Sequence, residues 1–425
     1  MNGLLKLVVP LAAALAIAAC NVSNSSNIPA TTGASQAVTP ASGHSVPEWM
    51  AKHQARRACK ELDGGVRCFT LISNAGPLAC SPSSNCGLRP IDLQTRYKLG
   101  GLLGRGAGTI VAVIELGDVP NASTDLSTYR SQFGLGTAPF AKYNQYGQQS
   151  NYPETCEDFG FCLEADLDTE MVAASCPKCT IYMIEGGNCG AAVCGLEGAE
   201  ATAVALGATI ISNSWGCHTG VYGANCGDPN FPNYFSTPNI AYLASSGDSG
   251  YPEIEWPATL DNVVAVGGTQ LEKSGSGFTE TVWDGAGAGC STTITKPSWQ
   301  HDPLCAGRTI ADVSAQAGCN PGVAEYDTSG GYGGWISGVC GTSVASPLTA
   351  GIVALGGHET SYTTGGERFW KLTNKQHRRK FNVIKSGSDG SCGNYTCEAG
   401  APKGENYKTY SGPAGWGTPV GTRAF

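Results

Sequence analysis

The sequence predicts an α/β fold: a mostly parallel β-sheet with helices on both of its faces. Five short runs rich in Ile, Val and Ala have the continuous apolar character of strands that are buried on both sides. Helix-like stretches lie between several of these runs, and strands that alternate with helices form parallel sheets. Hydrophobic residues make up 41% of the 425 residues, which is enough for a large core and excludes a disordered chain.

These elements define one domain, which we place at residues 87–425. The predicted strands cover residues 109–116, 180–184, 208–212, 240–244 and 262–266. The predicted helices between them cover residues 123–133, 163–174 and 191–206. No internal repeat is visible, so we expect a single large α/β domain.

The chain is poor in charged residues. Asp, Glu, Lys and Arg make up 14% of it, against about 25% in an ordinary soluble protein. The net charge is −8, and because a nucleic-acid binder needs a basic face, we exclude nucleic acid as a partner. A surface with few carboxylates gains little charge when they are protonated, which suits an acidic medium.

Residues 1–19 are predicted to be a signal peptide, with Lys6 as the positive flank and an apolar run behind it. That run is too short to span a bilayer, which needs about 20 apolar residues. It ends in Ile17-Ala18-Ala19-Cys20, which resembles the lipobox of bacterial lipoproteins and predicts lipidation of Cys20. The alternative is ordinary cleavage after Ala18. We therefore expect an exported protein that is either attached to the membrane through a lipid anchor alone or secreted.

The 19 cysteines predict a disulfide framework. An odd count leaves one thiol over, and lipidation of Cys20 would leave 18 for pairing. Export takes the chain to an oxidising compartment, where disulfides form. Bonds between successive neighbours are the simplest expectation, although the sequence leaves the connectivity open; examples are Cys156/Cys162, Cys176/Cys179, Cys189/Cys194, Cys217/Cys226, Cys290/Cys305 and Cys392/Cys397.

One of these pairs has two other interpretations. Cys176-Pro-Lys-Cys179 could be half of a zinc site or a redox motif. Zinc would need a second half-site of comparable spacing, and a thioredoxin-type motif should open a helix after a strand. Here the motif follows a helical stretch and precedes a strand-like run, which favours a structural disulfide.

Two segments precede the main domain. Residues 20–45 are rich in Ser, Thr, Asn, Ala and Pro, a composition that cannot form a core and is interpreted as a tether. Residues 46–86 form a short cysteine-containing leader, or pro-segment, with the basic pair Arg56-Arg57.

A serine at a predicted helix start is the first candidate for chemistry. The sequence Gly341-Thr342-Ser343, with Pro347 four residues further on, precedes an apolar helical run at residues 348–355. Proline is tolerated in the first turn of a helix, and the partial positive charge of that helix end favours an oxyanion beside Ser343. The alternative is that Ser343 merely caps the helix. The pattern G-T-S-x-x-x-P is the one that subtilisin-like peptidases have around their nucleophile.

A serine nucleophile needs a base, and histidine is not the expected one here. A subtilisin has its histidine in an H-G-T-H context, which none of the six histidines matches: His44, His53, His218, His301, His358 and His377. Asp118 follows the first strand but has no histidine to orient. Either the protein is inactive or the base is a different residue.

A pair of carboxylates offers such a base. Glu164 and Asp168 stand four residues apart, so on a helix they share a face, with Cβ atoms roughly 5–6 Å apart. Adjacent carboxylates can share one proton, and the pair could let the glutamate accept a serine proton while the aspartate orients it. The alternative is a stabilising interaction with the helix dipole. Asp166 and Glu170 form a second pair at the same spacing.

Three motifs in order resemble the sedolisin family of serine-carboxyl peptidases. They are E-A-D-L-D at residues 164–168, Ser245-Ser246-Gly247-Asp248-Ser249-Gly250, and G-T-S-x-x-x-P. The likeness covers about residues 88–355; further similar segments are LRPIDL (88–93), DLSTYRSQFGL (125–135), WPA (256–258), VGGT (266–269) and ADVSA (311–315).

The resemblance implies a subtilisin-like fold and a role for four residues. Ser343 would be the nucleophile, Glu164 its general base, and Asp168 the residue that holds Glu164. Asp248 would be the oxyanion-hole carboxyl, since a protonated carboxyl donates a hydrogen bond whereas an ionised one repels the oxyanion. The alternative for Asp248 is a turn-forming aspartate beside Gly247 and Gly250. A glutamate base and a protonated Asp248 both predict activity that peaks at about pH 3–5.

The chain departs from the family at the calcium site. Family members have one aspartate in an F-x-D-[VI]-T-x-G segment and a second in a [WY]-D-x-x-x-G-x-G segment near the C-terminus. Val383 and Ser411 stand at these positions, and neither offers a carboxylate to a hard cation. Asp389 is a nearby carboxylate that could compensate. We nevertheless expect no bound calcium and no required cofactor.

The leader is a second departure, because family members commonly have a long prodomain and residues 46–86 are too few for one. Its removal during maturation is a hypothesis.

Taken together, these observations predict an exported, monomeric, acid-acting peptidase that cleaves polypeptides, either internally or by removing tripeptides. The alternatives are a catalytically silent surface lipoprotein that uses the fold for binding, and a histidine-based subtilisin with a neutral-to-alkaline optimum.

Overall fold

A computed structural model gives the fold of this chain. It describes residues 47–62, 65–73, 80–83, 86–187, 192–218, 231–357, 365–400 and 409–425. The predictions for the signal peptide, the tether and Cys20 lie outside these ranges. Within them, no helix is both long and apolar enough to cross a bilayer.

The strands are mostly short, and the longest of them lie in one central sheet. In chain order they are β1 (Ala55–Arg57), β2 (Arg67–Cys68), β3 (Leu71–Ser73), β4 (Ile110–Leu116), β5 (Phe140–Asn144), β6 (Thr180–Gly186), β7 (Ile210–Asn213), β8 (Trp215–His218), β9 (Ala241–Ser245), β10 (Glu255–Trp256), β11 (Val264–Ser274), β12 (Gly277–Val282), β13 (Gly289–Thr295), β14 (Gly307–Ile310), β15 (Val313–Gln316), β16 (Val323–Asp327), β17 (Gly334–Cys340), β18 (Phe381–Asn382) and β19 (Thr418–Pro419).

The helices include three of about four turns. They are α1 (Glu48–Lys52), α2 (Pro90–Arg96), α3 (Ala122–Gln132), α4 (Cys156–Phe159), α5 (Cys162–Ser175), α6 (Ala192–Ala205), α7 (Thr342–Gly356), α8 (Glu367–Trp370) and α9 (Asn374–Lys380), with a 3₁₀ turn at Phe231–Phe235.

The central sheet has eight strands in the order β12-β11-β9-β7-β4-β6-β5, with β15 also paired to β11. The pairs among β5, β6, β4, β7, β9 and β11 are parallel, as is β11 with β15, and only β12 runs antiparallel to its neighbour. The mostly parallel sheet predicted from the apolar runs is therefore confirmed.

Two cores lie on the two faces of this sheet. Successive residues of β4 point to opposite faces, so Val111 and Val113 join the core that contains α5 and α7 residues. Ala112 and Ile114 join the core that contains Leu196 of α6. A strand that is covered on both faces has no side chains facing solvent, and this explains why the sequences of these strands are continuous apolar runs.

Residues 47–73 pack into the same structure as the main domain. Strand β3 lies between β1 and β17 in an antiparallel four-stranded sheet that ends with β16. Strand β2 pairs with β8, next to the central sheet. Trp49 of α1 makes an edge-to-face contact with Trp283, with ring centroids 4.9 Å apart. The part of the leader that the structure describes thus contributes strands to the fold.

Seven disulfides lie among the described residues, each between neighbours in the cysteine order. They confirm the predicted pairs Cys156/Cys162, Cys176/Cys179, Cys290/Cys305 and Cys392/Cys397 and add Cys59–Cys68, Cys80–Cys86 and Cys319–Cys340. The structural interpretation of Cys176 and Cys179 is therefore confirmed. Cys217 is also disulfide-bonded. Its predicted partner Cys226, together with Cys189, lies outside the described residues, and the side chain of Cys194 is not described either.

Candidate active site

Four side chains predicted from the sequence come together at the carboxyl edge of the central sheet. Glu164 and Asp168 project from α5, Asp248 follows β9, and Ser343 lies at the start of α7. All four are fully buried. Loops that follow parallel strands meet at this edge, which is where open α/β sheets place their functional groups.

Ser343 is the second residue of α7. The N-cap is Gly341, whose φ of 114° lies in the region that favours glycine, so the interpretation of Ser343 as the helix cap is wrong. The Ser343 hydroxyl donates to the backbone oxygen of Ser214, 3.2 Å away, just beyond β7. Pro347 is inside the helix, beyond the first turn that the sequence predicts for it. Because proline has no N–H, it cannot donate the usual helical hydrogen bond to the Ser343 carbonyl.

Glu164 lies beside Ser343 and Asp168. Its Oε2 atom accepts a hydrogen bond from the backbone N–H of Phe69 at 3.1 Å. Burial, and then the neighbouring Asp168, raise the pKa of Glu164 well above its ordinary value. The hydroxyl groups of Ser343 and Thr70 act in the opposite direction on this pKa. A carboxylate beside a serine hydroxyl can serve as its proton acceptor.

Asp168 is the next member of the chain of contacts. Its Oδ1 atom accepts a hydrogen bond of 2.7 Å from the Ser214 hydroxyl, and its carboxyl group neighbours those of Glu164 and Glu115. Burial raises the pKa of Asp168 well above its ordinary value, and these hydrogen-bonding neighbours oppose the rise. Carboxyl groups this close hold a proton between them more readily than two charges.

Glu115 is a functional candidate that sequence reasoning missed. It lies on β4, is fully buried, and has its pKa raised by burial and then by Asp168 and Glu164. The signal was present in the sequence as one carboxylate near the end of the apolar run TIVAVIEL at 109–116. A charge in a strand buried on both faces requires a polar neighbour, and here that neighbour is the Asp168 carboxyl.

Asp248 approaches Ser343 from the other side of the site. Its Oδ1 atom accepts two hydrogen bonds from Thr342, one from the backbone N–H and one from the hydroxyl, both at 2.8 Å. Its Oδ2 atom has no hydrogen-bond partner among the described residues. Burial raises the pKa of Asp248 to about 7, against the hydrogen bonds from Thr342 and the charge of Arg57. Below that pH, Oδ2 bears a proton that it can donate.

The comparisons with known proteins agree with this geometry. A family model described as the subtilase family matches residues 107–377. The chain belongs to this family. Its fold and its family are thus those that the motifs indicated, and the predicted subtilisin-like fold is confirmed.

Within the family, this subtilase is similar to sedolisin. Sedolisin of Pseudomonas sp. (strain 101) is 28% identical over 371 residues, which cover 78% of this chain and 60% of that protein. The chain therefore spans about 60% of the length of this curated relative. The solved structure of Pseudomonas sedolisin, a serine-carboxyl proteinase complexed with two molecules of pseudo-iodotyrostatin, matches with a TM-score of 0.66 at 25% identity. That match covers 80% of this chain and 97% of the solved one, and it confirms the predicted likeness to the sedolisin family.

The second carboxylate pair of this subtilase faces away from Ser343. Asp166 neighbours Asp125 and Asp327, and burial followed by these two carboxyls raises its pKa well above the ordinary value. Glu170 accepts a hydrogen bond from the backbone N–H of Tyr326 at 3.2 Å and lies near Glu325. The structure thus separates the two pairs that the sequence placed side by side.

Three other residues considered for the site have partners elsewhere. Asp118 forms an ion pair with Lys142. The ring of His377 stacks on Trp416 at 3.7 Å and bonds the Phe369 carbonyl, and burial lowers the pKa of this histidine to about 4. His53 contacts Asp284 at 2.9 Å. His44 and His358 lie outside the described residues.

The two positions at which family members have calcium-binding aspartates carry no carboxylate in this chain. Val383 has no side-chain oxygen, and Ser411 is a buried serine in a narrow turn that pairs with Gly415. Asp389, the alternative carboxylate, is buried with both oxygens lacking hydrogen-bond partners among the described residues. Burial raises the pKa of Asp389 well above the ordinary value.

Proposed function

We propose that this subtilase is an acid-acting serine-carboxyl peptidase that hydrolyses polypeptides. The observation that supports the proposal most strongly is the hydrogen-bonded series from Ser343 through Ser214 to Asp168, with Glu164 alongside and Asp248 opposite. Ser343 is the nucleophile, Glu164 its general base, Asp168 the positioning residue and Asp248 the oxyanion donor.

The reaction begins with transfer of the Ser343 proton to Glu164. The serine oxygen attacks the carbonyl carbon of the scissile bond, and Glu164 then gives its proton to the leaving amine. Water hydrolyses the resulting ester by the same route in reverse. Asp168, bonded to the Ser214 hydroxyl, fixes the orientation of Glu164 and shares its proton.

Asp248 stabilises the negative charge that develops on the carbonyl oxygen. Thr342 holds Oδ1 as an acceptor, which leaves Oδ2 to bear the proton and donate it. A donor aimed at the oxyanion is worth about 10²–10³ in rate. This role requires a neutral carboxyl group, so it is lost as the pH rises through about 7.

The pH optimum follows from Glu164 and Asp248 together. In this structure Phe69 covers Glu164, and burial keeps the pKa of Glu164 high. The hydrogen bonds from the Ser343 and Thr70 hydroxyls favour the charged form of Glu164 and act against this rise, so we propose that the base ionises in acid. We therefore propose a maximum at about pH 3–5, with activity declining toward pH 7.

The decisive assay uses denatured protein substrate at pH 4. We expect cleavage by the wild type and none by Ser343→Ala, a loss of at least about 10⁴-fold. Ser346→Ala is the matched control, because Ser346 lies on the same helix, is equally buried, and bonds the Ser212 hydroxyl at 2.9 Å. An inactive wild type would favour the alternative of a silent binding protein. A rate that rises steadily to pH 8 would favour a histidine base.

The proposal extends to where the enzyme acts. Seven disulfides among the described residues are typical of proteins from an oxidising compartment, which supports export. We propose that a lipid on Cys20 anchors the protein to a bacterial membrane and that it works as a monomer without a required cofactor. Metabolic labelling with palmitate, lost in Cys20→Ala, tests the anchor; unlabelled wild type would instead indicate cleavage after Ala18.

A further inference from the structure

A cluster of buried carboxyl groups lies behind the candidate active site. Asp125 of α3, Asp166 of α5 and Asp327 at the end of β16 each contribute one carboxylate oxygen, and these three oxygens lie within 4.8 Å of one another. Each of the three residues is at most 1% exposed. Asp166 is two positions from Glu164, so it lies on nearly the opposite face of α5. Three elements of the fold therefore meet at one group of acidic oxygens.

Donors from the loop after β16 satisfy part of the cluster. Thr328 donates its backbone N–H to Asp125 at 2.8 Å and its hydroxyl at 2.9 Å. Gly330 donates its backbone N–H to the Oδ1 atom of Asp327 at 2.6 Å. These bonds hold the carboxyl groups of Asp125 and Asp327 in place.

The remaining oxygens have no donor. Both carboxylate oxygens of Asp166 and the Oδ2 atom of Asp327 lack a hydrogen-bond partner among the described residues. The carboxyl groups of Asp166 and Asp125 lie within hydrogen-bonding reach of each other, although an ionised carboxylate has no proton to donate. Because an unpartnered charge is costly to bury, these oxygens indicate a ligand that the protein itself does not supply.

A fourth carboxyl group faces the same cluster. Glu325 precedes Asp327 by two positions on β16, so the two side chains lie on one face of that strand. Glu325 is fully buried, and neither of its carboxylate oxygens has a hydrogen-bond partner among the residues that the structure describes. Burial, followed by Asp327 and Asp166, raises the pKa of Glu325 well above its ordinary value. The cluster therefore contains more negative charge than its three central residues alone provide.

The lysine that acts on this cluster is engaged elsewhere. Burial and the neighbouring carboxyl groups raise the pKa of Asp166, and the charge of Lys142 opposes the rise. The Lys142 ammonium group forms an ion pair with Asp118, lies 3.4 Å from Glu185 and donates to the Val119 carbonyl at 2.9 Å. A cation from solution would supply the balancing charge.

The ligand set selects calcium among the common cations. All three central ligands are carboxylates, which suit magnesium, manganese and calcium better than zinc or copper. Magnesium keeps several of its waters, and side chains this deeply buried leave little room for them. Calcium–oxygen distances are about 2.3–2.6 Å, so oxygens on opposite sides of a calcium ion are about 4.6–5.2 Å apart. The spacing of the three oxygens fits around one such ion.

We propose that Asp125, Asp166 and Asp327 bind one calcium ion that ties α3 and α5 to the end of β16. This site is separate from the family's calcium positions, which are residues 383 and 411 of this chain. The inference goes beyond the proposed peptidase function and does not depend on it, because no step of that reaction passes through these three residues. The ion is structural: it offsets buried charge and joins elements that are distant in the sequence.

The first test measures calcium binding directly. The full chain is freed of metal with a chelator and titrated with calcium chloride in a calorimeter at pH 7.5, since carboxylates bind metals in their ionised form. We expect one ion per chain with a dissociation constant below about 1 mM. Asp166→Asn should weaken the binding at least tenfold, and magnesium chloride should bind the wild type at least tenfold more weakly than calcium.

Asp389→Asn is the matched control. Asp389 is also buried, with both carboxylate oxygens unpartnered within the described part of the chain, and its substitution should leave the calcium affinity unchanged. If the Asp166→Asn protein does not fold, Asp327→Asn replaces it with the same expected loss. Wild-type binding weaker than about 1 mM, or equal affinity in the wild type and the Asp166→Asn protein, would overturn the inference. So would a loss of binding in Asp389→Asn alone.

The second test measures stability, because a ligand that binds only the folded state raises the thermal midpoint. At pH 7.5 we expect 10 mM calcium to raise the midpoint of the wild type by at least about 2 °C and that of Asp166→Asn by less than about 1 °C. At pH 5 protons compete with the ion for the same oxygens, so the wild type should shift by less than about 1 °C. A wild-type midpoint at pH 7.5 that does not respond to calcium would overturn the inference.

Discussion

Helix α5 presents two carboxylate pairs that are alike in almost every respect except their surroundings. We call Glu164 and Asp168 the Ser343 pair, and Asp166 and Glu170 the remote pair. All four residues are buried, and burial raises the pKa of each well above its ordinary value. The pairs differ by two positions, about 200° around a helix, and so face opposite ways.

The neighbours decide what each pair can do. The Ser343 pair contacts two serine hydroxyls, and the Asp248 carboxyl, which accepts from Thr342, lies in the same site. The remote pair contacts further carboxyl groups and the backbone of β16. A perturbed pKa and a spacing of four residues are therefore insufficient to identify a catalytic base. Adjacent serine hydroxyls are the property that distinguishes the Ser343 pair from the remote pair.

Matched amide substitutions give the largest expected difference between the pairs. Glu164→Gln removes the proposed base, and we expect peptide hydrolysis at pH 4 to fall by about 10³-fold. Glu170→Gln alters a carboxyl of the same size and burial without touching Ser343, and should change the rate by less than about threefold. Both are measured as kcat/KM on a fluorogenic peptide. Similar losses in the two variants would show that the pairs act alike.

Asp248→Asn should change the shape of the pH profile more than its height. The carbonyl of the substituted side chain can still accept from Thr342 and its amide can still donate, so the loss at pH 4 should be about tenfold. The amide does not ionise, whereas Asp248 titrates with a pKa of about 7. We therefore expect the variant to lose the decline in kcat that we propose for the wild type as the pH approaches 7. An unchanged alkaline limb would exclude Asp248 as its cause.

Stability should respond to both pairs alike. Burial raises the pKa of Asp248 from 3.8 to about 7 and that of Glu185 from 4.5 to about 8. At pH values between the ordinary pKa of each group and its raised pKa, the folded protein holds more protons than the unfolded chain. The free energy of unfolding therefore falls as the pH rises through this range. We expect the thermal midpoint to be highest near pH 4 and to decline toward pH 8. Glu164→Gln and Glu170→Gln should each flatten this decline, whatever their effect on activity.

Calcium should have the smallest effect. Because Val383 and Ser411 supply no carboxylate, millimolar calcium or a chelator should move the thermal midpoint at pH 5 by less than about 1 °C. Serine-to-aspartate and valine-to-aspartate substitutions at these two positions form the control, since they restore the family's pattern. A large shift in the wild type would mean that other oxygens, such as those of Asp389, bind the ion.

The elements that the sequence predicts correctly are those with strong local patterns. The run at 109–116 is strand β4, the stretch at 163–174 is helix α5, and that at 191–206 is α6, each within two residues. The sheet at β13–β14 and the pair β16–β17 are not predicted. Strands β14 and β16 have only four and five residues, and β13 and β17 contain glycine and are partly exposed, so they lack a period that a single sequence can show.

The site is predictable where motifs coincide and not where contacts are long-range. Ser343, Glu164, Asp168 and Asp248 come from ordered motifs, and the structure brings all four together. Phe69 approaches Glu164 across 95 positions in the chain, a contact that no local pattern reports. For the same reason the sequence predicts the leader as a separate segment, although its residues add strands beside the site.

The short cystine loops have a consequence for the proposed peptidase when it is surrounded by copies of itself. Five of the seven described disulfides join residues separated by nine positions or fewer, with Cα atoms 4.9–6.0 Å apart. An extended strand rises about 3.3 Å per residue, so the residues of such a loop would span far more than the distance between its two cysteines if they were extended. While the disulfide is intact, the loop therefore cannot adopt the extended conformation needed to bind along another molecule's cleft. If the proposed activity holds, these cross-linked loops should be poor substrates for neighbouring copies and so should limit self-digestion.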